Sequence, residues 1–110
     1  MSYMMLLESD LAAALAIEHA ATRAGHATYL VNSCADARAA LRNRRFEMLL
    51  VSEAACAEPP VAFALEAEKH GVRCVIMTAG AQTLQKLRAK GLICFEAPAD
   101  LVTLEVAKYM

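Results

Sequence analysis

The sequence predicts an α/β fold of the doubly wound kind: five strand–helix units in series, a (βα)5 chain that folds as a three-layer sandwich around a parallel five-stranded sheet. Three observations carry this. Short apolar runs recur at Tyr3–Leu7, His26–Val31, Phe46–Val51, Val72–Thr78 and Leu92–Phe95, spaced by about 20 to 25 residues, the length of a strand, a helix and two short loops. Alanine- and leucine-rich segments of helix-forming composition lie between them. The third run holds four consecutive large apolar residues, Met48 to Val51, which reads as a strand buried on both faces, as parallel strands covered by helices are. In such sheets ligands gather at the carboxyl ends of the strands, so Ser52 and Glu53 mark the place where this chain would act by chemistry.

Each element has a local reason. Tyr3–Leu7 ends at Glu8-Ser9-Asp10, and Asp10 can cap the helix that follows. Leu11–Ala24 is rich in Ala, Leu and Ile, and Gly25 closes it as a left-handed cap would. After Tyr29-Leu30-Val31, Ser33 with Asp36 resembles a capping box with the shorter acid. The second helix is expected to reach about Arg45, with Ala37, Ala40 and Leu41 inward. Ser52–Glu58 reads as a loop. Pro59-Pro60 opens the third helix, since proline fits the first turn, with Val61, Ala64, Leu65 and Glu68 at helical spacing. Gly71 ends it, and Val72–Thr78 stops at a hydroxyl. Ala81–Lys90 is mostly polar, with Leu84 and Leu87 as its apolar contacts, the pattern of a lightly attached helix. Ala97-Pro98 breaks the chain after the fifth strand, and Asp100 caps a last short helix, Leu101–Tyr109.

Bulk composition excludes several classes. The 110 residues suit one domain, 1–110, and 58% hydrophobic content gives ample core. No apolar run approaches a membrane span. The amino terminus carries no basic leader and reads as a first strand, not a signal peptide, and the cysteine pattern makes a reducing cytoplasm the expected setting. A net charge of −1 argues against sequence-independent nucleic-acid binding, which needs a basic face. The cluster Arg38, Arg42, Arg44 and Arg45 could contact phosphates, although cations at a helix carboxyl end also answer its dipole. Cys34, Cys56, Cys74 and Cys94 form no CxxC and have no histidine at ligand spacing, which points away from a metal or thiol-redox centre. His19, His26 and His70 read as solvated or capping, and no Ser/His/Asp arrangement, P-loop or GxGxxG is present. No metal, cofactor or enzymatic activity is expected.

Several segments, in order and at the right spacing, resemble the response-regulator receiver domain over nearly the whole chain. LLESD is similar to that family's apolar strand ending in an acidic pair. Val31-x-x-Cys34-x-x-Ala37-x-x-Ala40-Leu41 resembles the segment entering its second helix. FEMLLVS resembles the strand ending in the phospho-acceptor aspartate, VIMTA the strand ending in the switch hydroxyl, and EAPAD the segment that reads Lys-Pro. The resemblance implies a flavodoxin-like sheet of order 2-1-3-4-5, with the Met48–Val51 strand in its middle. It also implies where this chain departs from phosphotransfer chemistry. Glu8 stands at the first acid and Ser9 at the second. Ser52 stands at the phospho-acceptor, Thr78 at the switch hydroxyl and Ala97 at the lysine. The switch aromatic falls on Cys94, with Phe95 one residue along. One carboxylate is a poor Mg²⁺ site, and a serine hydroxyl without a base is a poor nucleophile. Glu53 could be the acceptor only if the strand slipped by one residue, which would turn every side chain to the other face.

The resemblance therefore implies a degenerate receiver: a phosphorylation-independent interaction or dimerisation module of two-component or phosphorelay signalling. Its partner would be a histidine kinase, another signalling protein or a second copy. Family likeness places the interaction face on the fourth helix, fifth strand and fifth helix, here Leu84, Leu87, Lys90, Leu101, Val102, Glu105, Val106 and Tyr109. Two alternatives stand beside it. One is a sensor binding a neutral ligand at the emptied pocket or a nucleotide second messenger at the arginine cluster; the other is an orthodox phosphorylated receiver.

Overall fold

The computed structural model describes residues 3–78, 81–89, 91 and 93–96, with residues 81, 83, 93, 95 and 96 described by their backbone alone. Its strands are β1 (Tyr3–Leu7), β2 (Ala27–Val31), β3 (Met48–Ser52), β4 (Arg73–Thr78) and β5 (Ile93–Glu96). Its helices are α1 (Leu11–Arg23), α2 (Cys34–Asn43), α3 (Pro60–Lys69) and α4 (Ala81–Ala89). A single 3-10 turn, Glu53–Ala55, follows β3. All strand pairs are parallel and their order is β2-β1-β3-β4-β5. The expected last helix lies outside the described residues.

The period-two alternation of the strands builds two cores. Met4, Leu6, Met48, Leu50, Val75 and Met77 turn to one face and pack with Ala14, Ile17 and Ala21 of α1. Met5, Leu7, Leu49, Val51, Cys74 and Ile76 turn to the other and pack with α2, α3 and Leu87 of α4. Helices thus cover both faces, and all five residues of β3 are buried, as its unbroken apolar run requires. Alanines at 14, 21, 37, 40, 64 and 67 form much of the helical underside, letting helix backbones lie close to the sheet.

Helix ends follow the local signals. The Asp10 carboxylate accepts from the Ala12 and Ala13 amides at 3.0 and 3.3 Å, answering two orphan donors of the first turn. Gly25 takes φ 87° after α1, where a side chain would be strained, and the His26 amide then closes onto the Ala21 carbonyl at 2.9 Å. Ser33 Oγ accepts from the Asp36 amide at 3.1 Å.

Three local expectations need correction. α2 ends at Asn43, not near Arg45, because the chain at Arg44 is already extended at φ −141°. Ser52–Glu58 is not all loop, since Ser52 completes β3 and the 3-10 turn follows. The buried stripe of α3 is Phe63, Ala64 and Ala67, while Leu65 is 49% exposed and Glu68 lies outside. The helix turns to seat the Phe63 ring, and Val61 is only half-buried. Among the described residues, no helix is long and apolar enough to cross a membrane.

Candidate functional site

The rim at the carboxyl ends of β1, β3 and β4 brings together most of the residues singled out for the degenerate pocket. Register pairs Leu7 with Val51 and Ser52 with Met77, so Glu8 and Ser52 come level, with Thr78 one step further along β4. Ser52 is the last residue of the central strand and is 8% exposed. Glu53 falls in the turn beyond it, so the strand is not slipped.

Each acidic group here already has a partner in the fold. Glu8 is only 7% exposed, and its Oε1 accepts from the Asp10 amide at 2.9 Å. Its own amide donates to the Val31 carbonyl at 3.2 Å, which ties the β1 exit to β2. Glu53 is half-buried, and Thr78 Oγ1 donates to its Oε1 at 3.0 Å. Thr78 is 2% exposed, so this bond satisfies a hydroxyl that burial would otherwise penalise. Ser9 is exposed. Ala97 lies outside the described residues.

This donor set does not fit Mg²⁺. The ion needs oxygen ligands in near-octahedral array. Glu8 has one oxygen committed to a backbone amide, Ser9 carries no charge, and Glu53 is held to Thr78. Among the described residues, no three His, Cys, Asp or Glu side chains converge as metal ligands.

The arginines divide. Arg38 donates Nη1 to Glu58 Oε2 at 3.0 Å, Nη2 to the other Glu58 oxygen, and Nε to Glu66 Oε2 at 2.6 Å. Its guanidinium also lies 5.3 Å from the centre of the Phe63 ring. Hydrogen bonding to Arg38 holds the Glu58 carboxyl below its ordinary range, and the same bonds push the guanidinium further up. Arg38 therefore leaves the anion-binding group: its charge is spent on α3 and the loop before it. Arg44 sits 4.8 Å from the Tyr29 ring centre and donates to Tyr3 Oη at 3.3 Å, beside an aromatic cluster of Tyr3, Tyr29 and Phe46. Arg42, Arg44 and Arg45 line an open recess of about 1060 Å³ together with Glu47 and His70. This recess lies at the amino-terminal ends of β1 and β3, away from Ser52 and Thr78.

The expected interaction face needs one correction. Leu87 is 2% exposed and belongs to the core under α4, so it is an anchor of that helix and not a contact residue. Leu84 is half-buried and packs on the same core. Lys90, Leu101, Val102, Glu105, Val106 and Tyr109 lie outside the described residues.

One constellation was not legible in the sequence. Cys34 opens α2 and Cys56 follows the 3-10 turn, and their sulfurs stand 3.0 Å apart. Their separation of 22 positions hides the pair from any spacing rule. Burial, and then the hydrogen bond with Cys56, push the Cys34 thiol up to about 12. Burial likewise raises Cys74 to about 12 and Cys94 to about 11.

Comparison with known proteins agrees with this architecture. No protein-family profile matches the chain, and no curated protein matches it. Solved structures do. A CheY-like response regulator receiver domain from Methylobacillus flagellatus superposes with a TM-score of 0.81 at 18% identity, covering 96% of this chain and 93% of the other. The receiver domain protein from Methanospirillum hungatei JF-1 gives 0.79 at 10% identity over 99% and 93%. The chain has the receiver fold. A de novo designed Rossmann 2x3 fold protein matches equally well, at 0.79 and 14% identity over 99% and 89%, so the likeness speaks for architecture alone.

Proposed function

We propose that this chain is a receiver-like signalling module that binds a protein partner, or a second copy of itself, without accepting a phosphoryl group. The observation that carries the reading is the Thr78–Glu53 hydrogen bond beside Ser52 at the strand end. In a phosphorylated receiver the switch hydroxyl needs an incoming phosphoryl oxygen as its acceptor. Here a carboxylate of the chain occupies that role from the neighbouring turn. Ser52 offers no carboxylate, and Glu8 is engaged by an amide. A cytoplasmic setting and a histidine kinase or related signalling protein as partner go with this reading.

The interaction face is proposed on Leu84, Lys90 and the segment Leu101–Tyr109, without Leu87. Sedimentation velocity across a concentration series, and pull-down of a co-encoded kinase, test it. Association should be the same with and without acetyl phosphate and Mg²⁺, and Leu101→Glu should weaken it at least tenfold. Association that strengthens on adding acetyl phosphate, or is indifferent to Leu101→Glu, would refute the module or the face respectively.

A second reading rests on the recess lined by Arg42, Arg44 and Arg45, which could take a nucleotide second messenger. A thermal shift with cyclic dinucleotides that disappears in Arg42→Ala/Arg45→Ala would favour it. Arg44 is left in place because it stacks on Tyr29.

A further inference from the structure

The strongest unassigned chemistry in the molecule is the Cys34–Cys56 pair. Three independent features of the site converge. The sulfurs are 3.0 Å apart, so forming a disulfide bond of about 2.05 Å asks for a movement of roughly an ångström. The two thiols differ in access: Cys34 is buried, while Cys56 is partly exposed at the loop surface. The pair also joins two separate elements, the first turn of α2 and the 3-10 turn that presents Glu53. The Cys56 amide donates to the Glu53 carbonyl at 3.1 Å, so Cys56 and Glu53 belong to one turn.

We infer that Cys34 and Cys56 form a reversible disulfide under peroxide, and that this cross-link clamps the Glu53 turn onto α2. The chemistry starts at the accessible sulfur. The Cys56 thiol releases its proton and its sulfur attacks one oxygen of hydrogen peroxide; a sulfur–oxygen bond forms, the oxygen–oxygen bond breaks, and the departing hydroxide combines with the released proton as water. The Cys34 sulfur then attacks the Cys56 sulfenic acid. The sulfur–sulfur bond forms, the sulfur–oxygen bond breaks, and the hydroxyl leaves with the Cys34 proton as a second water. The two thiols lose two electrons and the peroxide gains them. Burial shields Cys34 from the oxidant while its sulfur stands 3.0 Å from that of Cys56, so the partly exposed thiol meets the peroxide first and the buried one is in place to resolve the sulfenic acid. Cys74 and Cys94 are buried within the sheet and take no part.

The consequence reaches the rim. Glu53 accepts from Thr78, so clamping its turn fixes the partner of the Thr78 hydroxyl. A thiol–disulfide change would bias the same corner of the fold that phosphorylation biases in receivers. The inference stands on the pair's geometry and does not need the proposed absence of phosphotransfer.

The test treats the full chain, kept native, with hydrogen peroxide, blocks remaining thiols with iodoacetamide, and reads intact mass and a non-reducing peptide map. The expected product is monomeric, carries no carbamidomethyl group on Cys34 or Cys56, links their two peptides, and gains two hydrogens with dithiothreitol. Cys56→Ser and, separately, Cys34→Ser should abolish the link, and Cys94→Ser should leave it intact. The linked form should melt higher by on the order of 10 °C, because the bond closes a long loop in the unfolded chain. Stepwise addition of oxygen without a cross-link, a bond to Cys74 or Cys94, or links only between molecules would overturn the inference. The wild-type peptide map decides the matter even if Cys34→Ser folds poorly. A cross-linked chain with an unchanged melting temperature would overturn the clamp.

Discussion

Leu50 and Ser52 lie two residues apart on β3, and both are buried. Around Leu50 the sheet is apolar on every side, with Leu6, Val75 and Ile17 in the same core. Ser52 ends the strand beside Met77, and the acids near it, Glu8 and Glu53, are each tied to a partner within the chain. The body of the sheet is built to general rules of burial that any parallel α/β domain obeys. The rim is where a receiver's chemistry would sit, and here it is closed on itself. On the proposed reading fold and switch are separable: the strand is kept whole while the acids around its tip are engaged in hydrogen bonds within the chain.

Substitutions can break that contrast. Leu50→Ala should cost about 3 kcal/mol or more, the usual range for a buried leucine whose surroundings cannot collapse; urea denaturation measures it, and a loss under about 1 kcal/mol would mean the core is not load-sharing across β3. At the rim, Thr78→Val keeps the shape and removes the donor to Glu53. The double-mutant cycle with Glu53→Ala should return a coupling of about 1 kcal/mol, whereas zero coupling would dissolve the rim's self-closure.

Alkaline pH probes the interior against the surface. The thiols of Cys34, Cys74 and Cys94 are raised above their ordinary value of 9.0. They remain protonated in the folded chain when the unfolded chain has begun to ionise, so stability is fully present below pH 9 and falls as pH rises above it. Melting curves from pH 8 to about 10.5 under reducing conditions should show that decline, and Cys74→Ala should make it shallower; an unchanged slope would contradict the burial of Cys74. The smallest effect is expected at Arg38, whose pair with Glu58 is about one third exposed on each side. Solvent screening limits such a pair, although the Phe63 contact adds to it. Arg38→Ala should lower Tm by a few degrees. Arg38→Lys should recover little, since it lacks the planar fork. Because Glu58 is held below its ordinary carboxyl range, its contribution is present above that range and is lost as pH falls from it through the lowered folded-state value.

Much of the fold was legible in the sequence, and the residues show why. Met48–Val51 has no polar position and is too short for a helix, so it reads as a strand covered on both faces, and all of it is buried. Asp10, Ser33, Pro60 and Gly25 act within a few residues of themselves, and local signals of that kind survive folding. What failed was phase and long-range pairing. In α3 the alanines satisfy either face, so only the sheet decides that Phe63 and Ala67 turn inward and Leu65 outward. In α4 the sparse apolar pattern picked out Leu84 and Leu87, which do pack on the core, whereas the resemblance put Leu87 on an interaction face as well, and burial removes it from there. Arg38 with Glu58, Thr78 with Glu53 and Cys34 with Cys56 are separated by 20, 25 and 22 residues; their meetings follow from strand order, which no spacing rule contains. At the rim, Glu8, Ser52 and Thr78 could be named from resemblance, but the use of Glu53 as the partner of Thr78 could not.

The central claim, that the rim accepts no phosphoryl group, is tested most directly by intact mass spectrometry after incubating the chain with acetyl phosphate and Mg²⁺. The account predicts an unchanged mass, with Glu53→Gln behaving the same. A stable phosphoryl adduct mapped to Glu8, Ser52 or Glu53 would contradict it.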